Sequence, residues 1–281
     1  MKKLITKKRV IGFALYIFLA IIVFSFFDIY FLGYRTDLSK FTSKVIPYPA
    51  LFVNSDMVSV GQYDRFLKGY ESYLKELGVH QKIDQQLLSR TMIQNIALEQ
   101  VVTKLDIKFS KQEFNDYVDD FYKNNNISGM NRENYTNYFL KPIYYKEKII
   151  SRITDDDFNL ENKKKIELIY NDLIKNSVDF NIYSDLYKDQ ELGINGNMIG
   201  WLPYGNLPES LKSRVEKMEI GEFTSIMKSI SGYHIYKLNG KIKNEDGSYY
   251  YQFDQIFLPI ENFSNYLNKF LENSKILHFL N

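Results

Sequence analysis

Hydrophobic and polar positions alternate along the chain in several distinct ways. Val10 to Phe27 is an unbroken uncharged run of 18 residues, almost all apolar; Asp28 interrupts it and Ile29 to Tyr34 extends it. About 20 apolar residues cross a bilayer as a helix, so residues 10–33 are predicted to span a membrane. Thr36 to Pro49 is polar and basic and reads as a juxtamembrane linker, 34–47. Ala50 to Asn54 reads as a short strand with a turn at Ser55-Asp56. Ser59 and Gln62 have the spacing of a capping box, and Tyr63, Phe66, Leu67, Tyr70, Leu74 and Leu77 then follow a helical period. A second helix is predicted over 84–105, and a third from the Ser110-to-Glu113 box to about Tyr122. A fourth covers about 132–152, bent near Pro142. Later, Leu160 to Lys175 is again helical. Tyr233–Leu238 and Tyr251–Pro259 alternate as strands, joined by a hairpin loop at 243–248. Phe263 to Leu271 is amphipathic, and Ile276–Leu280 is an apolar tail that should dock on the protein or a partner.

Charge sharpens the membrane reading. The net charge of the 281 residues is +2, but Lys2, Lys3, Lys7, Lys8 and Arg9 precede the apolar run. Without those five, 31 basic residues face 34 acidic ones. A basic flank stays in the cytoplasm, so 1–9 is a cytoplasmic tail and everything after residue 34 lies outside. No basic domain remains to neutralise phosphates, which argues against nucleic-acid binding. A cleaved signal peptide would need a small-x-small site, and Phe26 to Phe31 offers none. Cysteine is absent, so neither disulfides nor a lipidated cysteine can contribute. Tyrosine and phenylalanine number 23 and 21; composition bias explains this more simply than a client-binding surface.

Chemistry-bearing motifs concentrate late in the chain. Gly200-Trp201, Gly205-Asn206-Leu207-Pro208, Ile220-Gly221-Glu222 and Gly232-Tyr233-His234-Ile235 stand at spacings that resemble a parvulin-type peptidyl-prolyl isomerase domain. His234-Ile235 completes the family's GYHI, whereas Asn197 and Met198 replace two residues of its GGDLGW loop. The order of elements over 48–155 resembles the amino-terminal domain of SurA- and PrsA-type chaperones. The fold implied is α+β: a transmembrane helix, a mostly helical domain over 48–155, then a parvulin-like domain over 156–281 with a small sheet flanked by helices. The family's domain opens with a strand that is missing between Arg152 and Lys163. In the family the first and last strands are antiparallel neighbours, so residues 251–258 are expected to replace it through a circular permutation.

That alignment implies site residues. His234 and Gln255 fall at the family's two active-site histidine positions, and Ser229 at its hydroxyl position. Ile199, Leu207 and Leu211 fall in its proline pocket. On residue type alone each has a plainer reading: a structural strand histidine, and two core leucines one helical turn apart. Trp201 reads as a packing residue, and Asp155-Asp156-Asp157 as a solvated helix start. His80, His234 and His278 are scattered and no H-E-x-x-H occurs, so no metal or cofactor is expected. The implied function is a single-pass, outward-facing isomerase and chaperone that binds proline-containing segments of unfolded, exported polypeptides. The alternative is an inactive holdase or an envelope-assembly docking module, which the substituted pocket favours.

Overall fold

The computed structural model describes residues 2–33, 36–76, 78, 84–125, 131–187 and 198–280. The side chains of 2–10 and of Tyr73, Glu76, Gln85, Asn134, Met198 and Ile199 lie outside that description, as do His80 and Asn197. The chain is α+β and divides into two compact units, 1–149 with 267–281, and 150–266.

The first unit begins with α1 (Lys2–Tyr30), which runs back through the basic tail. Its stretch Ile11–Tyr30 has a mean hydropathy of 2.3 and is long and apolar enough to cross a membrane. The expected linker is not extended: it contains α2 (Asp37–Val45), whose amino-terminus is capped by the Thr36 side chain accepting from the Ser39 N–H. The sequence concealed this helix because its polar residues face the protein, the reverse of the usual amphipathic pattern. β1 (Pro49–Val53) and β2 (Asp56–Ser59) form a hairpin around Asn54, which takes a positive φ of 56°.

The predicted box then opens α3 (Val60–Glu76): Gln62 N–H donates to Ser59 Oγ at 3.2 Å, and Ser59 N–H donates back to Gln62 Oε1 at 2.8 Å. α4 (Gln85–Lys104) and α5 (Lys111–Asn125) follow, the latter with Ser110 Oγ accepting from the Glu113 N–H. The run over 132–153 comprises α6 (Arg132–Tyr135), a π-helical turn (Thr136–Leu140) and α7 (Lys141–Ile153). Pro142 has no N–H and its ring presses on the carbonyl four residues back. The wider turn, in which Lys141 N–H reaches Thr136 O, relieves that clash.

Ala50, Leu51 and Val53 pack with Phe66, Leu88 and Met92 in the core of this unit. Several aromatics are absorbed in packing: Tyr144 meets Phe109, Phe114 and Tyr117 at centroid distances of 5.1, 5.2 and 4.9 Å. The apolar tail docks here too. Ile276–His278 pairs antiparallel with β1, Leu51 opposite His278 and Val53 opposite Ile276. Residues 267–281, expected with the second domain, therefore group with the first.

In the second unit, α8 (Leu160–Lys175) and α9 (Phe180–Leu186) precede β3 (Met198–Pro203), α10 (Glu209–Val215), β4 (Met227–Lys228), β5 (Gly232–Lys243) and β6 (Tyr249–Pro259). α11 (Phe263–Glu272) follows, and the last strand of the chain, Ile276–His278, is β7. The sheet order is β3-β6-β5-β4 with every pairing antiparallel. Alternation divides the side chains between two faces. Tyr233, Ile235, Ile256 and Leu258 meet Ile166, Ile169 and Leu173 of α8 and Phe180 of α9. On the other face, Leu238, Tyr251 and Phe253 are covered by Leu211 and Val215 of α10. α10 covers only part of that face, and the uncovered part holds the site.

Candidate active site

The register of β5 on β6 sets His234 opposite Phe257 and Tyr236 opposite Gln255. Directly opposed residues share a face, so these four side chains form the floor of a groove of about 680 Å³. Pro208, Ser229 and Ser231 line it from one side, and Phe158, Asn162 and Ile260 are among the residues lining it elsewhere. Gly232 is required where β5 enters: a Cβ there would lie 2.3 Å from Leu258 O and 2.6 Å from a Phe257 ring carbon. This glycine lets the two strands approach closely just before His234.

His234 is fixed from four directions. Its Nε2 lies 2.7 Å from Ser229 Oγ and its Nδ1 3.2 Å from Gln255 Nε2. The Tyr236 ring stacks at 5.5 Å with an interplanar angle of 6°, and Phe257 tilts at 4.9 Å. A carboxamide nitrogen can only donate. With the carboxamide nitrogen donating, Nδ1 is the acceptor and Nε2 carries the ring proton toward Ser229. The Ser229 oxygen also accepts from the N–H groups of Ser231 and Gly232, at 3.1 and 3.2 Å. The imidazole is held in one orientation at the groove floor, 7% exposed.

The structure brings His234, Gln255 and Ser229 together at the groove. Leu207 and Leu211 are 3% and 1% exposed, within the core beneath α10. Neither is among the residues lining the groove, whereas Pro208, next in the chain, is. Turning Leu207 inward completes the core against Leu238 and Phe253, which burial of a large aliphatic side chain favours. Ile199 pairs through its backbone with Phe253 in β3, and its side chain lies outside the described residues.

Three contributors escaped the sequence. Asn159 Nδ2 donates to Ile153 O and Asp155 O at 2.7 and 2.9 Å, while its Oδ1 accepts from Glu261 N–H at 3.0 Å. Asn162 Nδ2 donates to Pro259 O at 2.7 Å. Together they tie the start of α8 to the segment leaving β6, which forms one wall of the groove. Asp156, expected as a solvated acid, instead accepts from Lys163 at 2.8 Å, Lys228 at 2.7 Å and the Tyr233 hydroxyl at 2.8 Å. Those donors, Lys163 first, hold its carboxyl well below the usual carboxylate range. Burial, then the hydrogen bond to Asp156, pushes the Tyr233 phenol up. No spacing rule links residue 156 to 228 and 233; only the fold does. Among the described residues, no group of three or more His, Cys, Asp or Glu side chains could hold a metal ion.

Residues 149–240 match the family model of the PPIC-type PPIASE domain, Rotamase. The chain carries a parvulin-type rotamase domain. Chaperone SurA of Hydrogenovibrio crunogenus (strain DSM 25203 / XCL-2) is 27% identical over 88 residues, which cover 31% of this chain. The chain spans only 19% of that curated relative. The match to the rotamase family stops inside β5, so β6, with Gln255 and Phe257, follows the matched residues.

Proposed function

We propose that the chain is a membrane-anchored folding factor outside the cytoplasm that catalyses cis-trans exchange of prolyl bonds in exported polypeptides. The observation that carries this is the clamped His234 on the floor of the groove in the rotamase domain. Exchange about a peptide C–N bond faces a barrier of about 18–20 kcal/mol. It is slow enough to limit folding. No nucleophile is needed. A surface of Tyr236, Phe257, Pro208 and Ile260 accepts the proline ring and removes water from the amide, whose twisted state is less polar than its planar one. The Ser229–His234–Gln255 chain presents a fixed polar edge to the rotating amide.

In this reading β6 stands in for the strand that opens the family's domain. Its antiparallel place beside β5 supports this, as does the end of the family match before β6 begins. The first unit acts as the client-holding domain, and Ile11–Tyr30 is the anchor. A holdase without catalysis is the second reading. Gln255, an amide that cannot titrate, at a position where the family places a histidine, favours it.

Proline-peptide exchange measured by NMR with the full chain in detergent micelles separates the two. The expected result is acceleration that falls at least about tenfold, or about 1.4 kcal/mol, in His234→Ala with the variant's circular dichroism unchanged. No acceleration by the native chain, together with suppressed aggregation of an unfolded client, would establish the holdase instead.

A further inference from the structure

α2 presents the wrong face to water for a soluble linker helix. Ser39, Thr42 and Ser43 are buried, whereas Leu38, Phe41 and Val45 are 39%, 66% and 75% exposed. At about 100° per residue these three form one stripe roughly 60° wide. The helix is held firmly in this orientation. Asp28 Oδ2 accepts from the Thr36 N–H at 2.8 Å and from Ser39 Oγ at 2.5 Å, placing a carboxylate at the helix amino-terminus, where the dipole favours it. On its inner side α2 abuts Gly61 of α3 so closely that a Cβ there would lie 2.5 Å from Ser43 O.

The position of α2 along α1 decides what covers that stripe. The 20 residues Ile11–Tyr30 rise about 30 Å, the thickness of a bilayer's hydrocarbon core. Yet the upper part of this span is already occupied by the protein. Tyr48 OH donates to Ile22 O at 3.3 Å, and Ser25, Asp28 and Ile29 are buried. A span that reaches from Ile11 to Tyr30 therefore carries its attached segments into the outer leaflet by about two helical turns. α2 is bonded to α1 at Asp28, within that overlap. Beside its stripe, Lys40 and Lys44 of α2 and Arg65 and Lys68 of α3 line a groove of about 380 Å³ together with Asp64.

We propose that α2 is an interfacial helix embedded in the outer leaflet. Leu38, Phe41 and Val45 enter the acyl region, and Lys40, Lys44, Arg65 and Lys68 receive the phosphates of anionic lipid headgroups. Cationic residues flanking an apolar stripe bind such surfaces through both terms. The arrangement also shields Asp28 from lipid, where an exposed carboxylate is costly. The proposal rests on the reading of Ile11–Tyr30 as a membrane anchor.

The chain has no cysteine, so one introduced thiol reports one place. Full-length Phe41→Cys and Phe18→Cys, each carrying an environment-sensitive fluorophore, are reconstituted in vesicles of equimolar phosphatidylcholine and phosphatidylglycerol. Lipids brominated near the ester end or near the methyl end of the chain serve as quenchers. The expected result is blue-shifted Phe41→Cys emission that loses more than about half its intensity to bromine near the ester end. Phe18→Cys should respond most to bromine near the methyl end. Quenching at Phe18→Cys with none at Phe41→Cys overturns the interfacial helix and leaves the anchor standing. No quenching at either overturns the anchor and the proposal with it. A blue shift at Phe41→Cys that grows with protein concentration but ignores brominated lipid assigns the stripe to a second copy. Adding Lys40→Glu and Lys44→Glu should reduce quenching in the anionic vesicles and leave it unchanged in pure phosphatidylcholine; equal quenching in both overturns the headgroup site.

Discussion

The two faces of the β5–β6 pair are made by the same strands and do opposite work. Ile235 and Ile256 sit wholly inside, against Ile166, Ile169 and Leu173 of α8. One residue along in register, His234, Tyr236, Gln255 and Phe257 floor an open groove. The sealed face is apolar and close-packed, so its contribution is stability. The open face holds hydrogen-bonded polar groups between aromatic rings, so its contribution is placement of one imidazole. Because side-chain direction alternates at every residue, the GYHI segment serves both ends: Tyr233 and Ile235 toward α8, His234 toward the groove.

The largest effect that tests this division is on the sealed face. Ile235→Ala removes three carbons from a site with 0% exposure. Such truncations cost about 2–5 kcal/mol, depending on how far the cavity relaxes. Urea denaturation followed at Trp201, the single tryptophan of the chain, should show a loss of about 3 kcal/mol. The fraction that remains folded should catalyse exchange at the native rate. A loss below about 1 kcal/mol would mean that α8 does not hold the sheet.

On the open face the expected signature is inverted. Gln255→Leu keeps most of the side-chain volume but removes the donor to His234 Nδ1. The imidazole is then free to move its proton from Nε2 to Nδ1, which reverses the hydrogen bond to Ser229, whose hydroxyl must then donate. Catalysed exchange should slow about tenfold, or about 1.4 kcal/mol in barrier, while urea stability falls by about 1 kcal/mol, the low end of the cost of a buried acceptor left without its donor. The His234 ring-nitrogen shifts should report a mixture of tautomers where the native chain shows one. An unchanged tautomer with lost activity would assign Gln255 to the substrate rather than to His234.

Sequence patterns reached the local elements and stopped at what long-range contacts decide. The Ser59–Gln62 box, the span of α8 and the alternation of β5 and β6 depend on neighbours a few residues apart, and each stands where the pattern places it. The meeting of His234, Gln255 and Ser229 was legible because one motif fixed the first and strand register brought the others to it. Leu207 and Leu211 were legible only as apolar positions, because a pocket and a core leave the same apolar mark at i and i+4. α2 was illegible because its inward face is polar, and that choice makes sense only once Asp28 is seen at its amino-terminus. β7 could be read as an apolar tail, but its pairing with β1 joins residues more than 220 positions apart.

The smallest effect lies where the two faces meet. Asp156 holds the Tyr233 hydroxyl on the sealed side of β5 and Lys228 of β4, next in the chain to Ser229. Asp156→Asn keeps an acceptor for Tyr233 and removes only the charge, so it isolates the ionic part of this tie. The native carboxyl titrates below its ordinary range. Its stabilisation is therefore complete above the unfolded value, near pH 3.9, and is lost as pH falls through the lower folded value. At pH 7 the variant should be about 1 kcal/mol less stable, with solvent screening the two lysine contacts of a side chain that is 42% exposed. The gap should narrow below about pH 4 and shrink in high salt. A gap that stays constant through the acid range would show that Asp156 acts through shape rather than charge. A drop in exchange activity at neutral pH without loss of stability would show instead that the tie reaches through β4 to Ser229, making the two faces one device.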